Sequence, residues 1–108
     1  MPSTTVSRGN ILFETILGVQ ITPGAIAANA DSTVTVAVAG ALVNDYVDVF
    51  PPGAQTRNVV IIGCWITSAG VMAVQFNNVS AVALTPVAGI YNVNLVRPEN
   101  FPLPANVV

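Results

Sequence analysis

Ser32-Thr33-Val34-Thr35-Val36-Ala37-Val38 places Val34, Val36 and Val38 on one side of an extended chain, and Thr33, Thr35 and Ala37 on the other. Successive side chains of a strand point to opposite faces, so this alternation is the signature of a β-strand with one buried face. The same period recurs downstream. Tyr46–Phe50 reads as a second strand, stopped by Pro51-Pro52-Gly53, where two backbone donors are missing and the chain must turn. Arg57–Thr67 is the longest and most apolar stretch. Its β-branched residues Val59, Val60, Ile61, Ile62 and Ile66 predict a central strand covered on both faces. Ser68-Ala69-Gly70 connects it to Val71–Phe76 as a hairpin. Asn77-Asn78 then reads as a turn, and Ile90–Arg97 as the last strand, punctuated by Thr85-Pro86 and Gly89 before it and by Pro98 after it.

Upstream, Ile16–Thr22 is expected to be a strand ended by Pro23-Gly24, and Ile26–Ala30 to begin another. No ten-residue segment carries apolar residues at the 3.6-residue helical spacing. The fold class is therefore all-β: an antiparallel β-sandwich, jelly-roll or immunoglobulin-like, of six to eight short strands. Residues 16–97 form the domain. Residues 1–15 and 98–108 are expected to be extended arms. Alternating prolines in Phe101-Pro102-Leu103-Pro104 favour an extended chain without internal hydrogen bonds. The apolar Phe101, Leu103, Val107 and Val108 are candidate contacts with a neighbour.

Composition bounds the function. The 108 residues are 53% hydrophobic and 7% charged, with a net charge of −2 and no His. An ordinary soluble domain is about 25% charged. The charges are Arg8, Glu14, Asp31, Asp45, Asp48, Arg57, Arg97 and Glu99. A folded monomer of this mass exposes about 5,600 Å², or about 700 Å² per charge, more than the largest apolar patch on a typical monomer. A surface so weakly charged is expected to be covered by other subunits. Three scattered arginines make no basic patch, so no nucleic-acid partner is expected. The longest apolar run, Val59–Ile66, is too short to span a bilayer as a helix, and the polar start MPSTTVSRGN does not resemble a secretory leader. No membrane partner is expected.

Chemistry finds few residues to work with. Cys64 has no second cysteine to bridge and no histidine to activate it, and its apolar surroundings make it a small core side chain. Asp45 and Asp48 are the only close acidic pair. Three residues apart on a strand, they point to opposite faces, which does not suit paired-carboxylate catalysis. Asn44, Asp45 and Asp48 are too few for a Ca²⁺ loop, and an Asn-Asp turn followed by an outward Asp48 is the expectation. The acceptor pattern Asn78-Val79-Ser80 falls in a polar turn with no secretory signal before it. No catalytic, cofactor or metal site is expected, and the chain reads as a non-enzyme. Trp65 and Tyr46 are further interface candidates, with core aromatics as the alternative.

Several runs together resemble a known group. They are Asp31–Val36, Asn44–Val49 with its Pro51-Pro52 stop, Gly63–Gly70, Val74–Ser80, and Gly89–Arg97 after Pro86. Spanning residues 16–97, they are similar to the small β-sandwich head decoration, cement or head-fibre proteins of tailed bacteriophages. The resemblance lies in strand and turn patterns. It implies a virion structural protein at the capsid surface, made in the host cytoplasm. Its partners would be the major capsid protein and its own copies, in a homotrimer. It implies no cofactor. The alternatives are another virion part (a fibre base, tail adaptor or minor capsid protein) and a host-surface or glycan-binding module, which would need Trp65, Tyr46 or Tyr91 in a shallow groove.

Overall fold

The computed structural model describes residues 10–99 and Leu103. These residues form six strands: β1 (Ile11–Ile21), β2 (Asp31–Ala37), β3 (Tyr46–Phe50), β4 (Val59–Ser68), β5 (Val71–Asn78) and β6 (Gly89–Pro98). They make two antiparallel three-stranded sheets, ordered β1-β6-β3 and β2-β5-β4. The chain changes sheet at four of its five connections, and only the β4–β5 hairpin stays within one. An immunoglobulin-like order keeps more consecutive strands together. The constant crossing, with the first and last strands side by side, fits the jelly-roll alternative.

The alternation seen in sequence governs the burial. In β2, Val34 and Val36 pack inward while Thr33, Thr35 and Ala37 face out. Val19, Ile21, Val49, Tyr91, Val93 and Leu95 of one sheet join Val59, Ile66, Met72, Val74 and Phe76 of the other in a single core. Phe76 meets Tyr91 edge to face, with ring centroids 6.3 Å apart. One core shared by two antiparallel sheets is the arrangement expected of a β-sandwich.

Four expectations need correction. Arg57–Thr67 was expected to be central and covered on both faces, yet β4 is an edge strand with Val60, Ile62 and Trp65 exposed. The central strand of that sheet is β5, where even the outward Ala73 is fully buried opposite Trp65. β-Branched residues record burial without saying what does the burying. A register shift between Ile61 and Gly63 also breaks the alternation, leaving inward Ile61 and Cys64 with two residues between them. Second, Ile26–Ala30 is a loop that makes one bridge, Ile26 to Leu84, and no strand. Third, β1 begins at Ile11, so residues 11–15 pair with β6 instead of forming part of an arm. Fourth, Asn77 and Asn78 continue β5; the chain turns only after them. The hairpin at Ser68-Ala69-Gly70 is as expected, with Gly70 at φ 79°, a conformation that a Cβ disfavours.

Each end of the core is closed differently. At the Ile21 end, the β1–β2 and β5–β6 loops pair through Ile26 N–H to Leu84 O (2.7 Å) and Leu84 N–H to Ile26 O (3.0 Å). At the Ile11 end, the β2–β3 loop is fastened by the residues described next.

Candidate functional site

Asp45 sits in a turn, which removes the geometric objection to a close pair with Asp48 but gives it another occupation. The turn closes by Asp45 N–H donating to Leu42 O at 2.9 Å, while Leu42 N–H donates to Asp45 Oδ2 at 2.8 Å. Arg97 grips both carboxylate oxygens, Nε to Oδ1 at 2.8 Å and Nη2 to Oδ2 at 2.7 Å, and Nη2 also reaches Gly40 O at 2.7 Å. Its guanidinium lies 4.6 Å above the Phe13 ring, its register neighbour on β1. A bidentate pair with a stacked guanidinium is a strong geometry. The Arg97 bonds hold Asp45 below the usual carboxylate range and raise Arg97 in turn. Both charges are thus committed to tying β1, β6 and the β2–β3 loop together. Asp48 stays exposed on β3. Among the described residues no three acidic, cysteine or histidine side chains gather to hold a metal.

Asn78 is a structural hub. It is fully buried. Its Nδ2 donates to Ile26 O (3.0 Å), Ala27 O (3.3 Å) and Val82 O (2.8 Å), and its Oδ1 accepts from Ser80 N–H at 2.9 Å. A side chain so placed offers no amide for modification. Tyr91, needed exposed for one glycan-binding reading, is fully buried; its hydroxyl donates to Val87 O and accepts from Gln55 Nε2 at 3.0 Å. Cys64 is half-buried, with its thiol donating to Val47 O at 3.3 Å. Burial, and then the nearby Asp48 charge, push its pKa up and suppress the thiolate.

The surface is where uncommitted residues collect. Tyr46 is 49% and Trp65 42% exposed, so neither is a core aromatic. Tyr46 and Phe50 stand outward on β3; Val60, Ile62 and Trp65 stand outward on β4. These edge strands meet where Cys64 bonds to Val47, so their exposed apolar side chains flank one junction. On the first sheet's outer face, Ile16 (74% exposed) and Ile90 add to the apolar area around Asn92 and Asn94. Leu103 is also exposed, whereas Phe101, Val107 and Val108 lie outside the described residues. Phe50, Ile62, Ile16 and Ile90 were missed in sequence. The signal was there for Phe50, which shares the outward phase of Tyr46 and Asp48, and for Ile16, which shares that of Glu14 and Gln20.

Three clefts complete the surface. One of about 570 Å³ lies between Leu17–Gln20 and Val36–Ala39. A second of about 270 Å³ continues it past Leu17 and Ala39 toward Phe13 and Arg97. A third, of about 200 Å³, lies beside Asp45 and Pro98. Neither Trp65 nor Tyr46 lines any of them. No helix among the described residues is long and apolar enough to cross a membrane. No protein-family model, curated protein or solved structure matches this chain.

Proposed function

We propose that this protein is a structural subunit of a virion, a capsid decoration or cement protein that binds the major capsid protein and associates with its own copies as a homotrimer. The observation that carries the subunit role is the band of exposed apolar side chains on β3 and β4: Tyr46, Phe50, Val60, Ile62 and Trp65. These side chains are already about half buried, so covering the rest contributes roughly half of the 1.5–3 kcal/mol that full burial of a large apolar side chain is worth. Asp48 stands on the same outward face between Tyr46 and Phe50, so one carboxylate is the charge that covering this band must desolvate or pair. The capsid as partner follows from the resemblance of residues 16–97 to phage head decoration proteins. A protein that binds the assembled shell and not its dissociated subunits stabilises the shell by mass action. Two of the polar groups that could do chemistry are committed to the scaffold, Asp45 to Arg97 and Tyr91 to Val87.

The test has two arms. Light scattering on the purified chain measures self-association, and a concentration-independent trimer is the expected mass. Co-sedimentation with shells of the major capsid protein from the same source measures capsid binding. Stoichiometric, saturable binding is expected; shells that never carry the protein overturn the decoration role.

A further inference from the structure

The flank between β1 and β2 is open, and its construction specifies an occupant. Among the described residues β1 pairs only with β6 and β2 only with β5, so each carries a row of backbone N–H and C=O groups without a described strand partner on its other side. The groove between them, about 570 Å³, is walled by Leu17–Gln20 and Val36–Ala39 and floored by the core residues Val19 and Val38. β1 runs the length of this groove, while the chain after β2 turns away as Val38 N–H bonds Gly70 O and Ala41 N–H bonds Val38 O. The opposite flank is closed where β3 meets β4. A free edge beside an apolar floor is a seat for an added strand with one apolar face.

We infer that this seat takes the segment Phe101-Pro102-Leu103-Pro104-Ala105 of a second copy of the chain, added as a strand along β1. The segment is built for one-sided pairing. In an extended chain the amides of residues 101, 103 and 105 point to one edge and those of 102 and 104 to the other. Both prolines fall on the second set, so the segment keeps its donors toward β1 and presents none outward. Phe101 and Leu103 share one face and supply the apolar contact. A strand of this pattern adds to an edge and ends the addition there.

Reach decides between the chain's own segment and a neighbour's. Pro98 lies opposite Ile11; the smaller cleft opens at Phe13, and the larger one, the proposed seat, starts at Leu17, six residues along β1. At about 3.3 Å per residue that is about 20 Å away. Phe101, three residues beyond Pro98, extends at most about 10 Å and Leu103 about 17 Å. Leu103 is accordingly outside the groove, 40% exposed. In the larger cleft only another copy can seat both side chains. Exchange of this kind closes into a dimer or a ring. The inference deepens the subunit reading by naming a copy-to-copy contact, and it is tested without any capsid.

The test compares the full chain with a form ending at Glu99, using light scattering for mass and thermal unfolding to establish that the shortened form is folded. The expected result is an oligomer for the full chain and a folded monomer for the shortened one, which then binds the synthetic peptide Asn100–Val108. Ala39→Lys, at an exposed groove position, is expected to abolish peptide binding, while Thr33→Lys on the outer face leaves it unchanged. A peptide N-methylated at Leu103 is expected to bind roughly tenfold or more weakly, as the loss of a backbone bond requires. An unchanged oligomer after shortening, a peptide that does not bind, or binding indifferent to Ala39→Lys each overturn the inference. A full chain that is monomeric and fails to bind the peptide in trans overturns it as well. Capsid binding by the shortened form is read separately and leaves this result untouched.

Discussion

At Arg97, one guanidinium meets a carboxylate, a backbone carbonyl and an aromatic ring. Arg97→Met removes the partner of the buried Asp45 and is expected to cost about 3 kcal/mol in urea denaturation at pH 7, at the low end for breaking a buried pair. The acid limb provides an independent check. Asp45 is held below its usual range, so near pH 4 the unfolded chain binds the proton that the folded chain refuses. Its contribution is therefore complete above about pH 4 and fades as pH falls through the lower, folded value. Arg97→Met should flatten the stability profile in that acid window and leave its shape above pH 5 unchanged. Asn78 makes the second residue-scale case. Asn78→Ala removes the side-chain bonds to the Ile26, Ala27 and Val82 carbonyls and leaves Ser80 N–H without its acceptor, with an expected loss of about 2–3 kcal/mol by the same denaturation measurement. Neither role could be read from sequence. Asp45 and Arg97 are separated by most of the domain, and Asn78 looks like any polar turn residue until the loop it anchors is folded over it.

Strands were legible wherever one face is buried and the other is not. β2, β3 and β6 announce themselves by alternation and by the prolines and glycines around them. Order within a sheet was not. β4 carries as many β-branched residues as a central strand, because its outward side chains are apolar even though they stand exposed among the described residues. The sequence pattern records that those residues are apolar, and only the fold shows that they stand on the exposed face of an edge strand. The start of β1 was hidden for the opposite reason: Glu14 and Thr15 dilute the alternation although their backbone pairs with Val96 and Leu95. The β4–β5 hairpin supplies the prediction at this scale. Gly70 holds a positive φ, so Gly70→Ala is expected to lower stability by about 1–2 kcal/mol in thermal or urea unfolding, with the hairpin register kept.

For the whole molecule, charge scarcity is the line of the sequence from which the subunit proposal starts, and the structure shows exposed apolar side chains on the β3–β4 flank. Phe50→Glu and Trp65→Glu place charges where an apolar contact is proposed, on side chains that leave the core untouched. Each should preserve the unfolding midpoint within a few degrees while shifting the light-scattering mass toward the monomer. Thr33→Glu, on a polar outer position, is the control and should change neither. A mass unaffected by both charged variants would place the self-contact elsewhere on the surface. The candidate surface was thus half legible: Trp65 and Tyr46 were singled out as aromatics in strands, while Phe50 and Ile62 required knowledge of which edge meets which.

The first and last strands lie side by side, with Glu99 N–H bonded to Asn10 O, and this sets how the domain bears force. A pull between the residues before Asn10 and those after Glu99 peels β1 from β6 one hydrogen bond at a time, beginning at that pair. A pull on the residues after Glu99 against a body held by its outer faces loads β6 instead. β6 is the middle strand of its sheet, so β1 and β3 both resist in shear and the bonds of two ladders yield together or not at all. The same fold is a zipper in one attachment and a rivet in the other. The choice rests on whether a copy is held by both ends of its chain or by one end and a face.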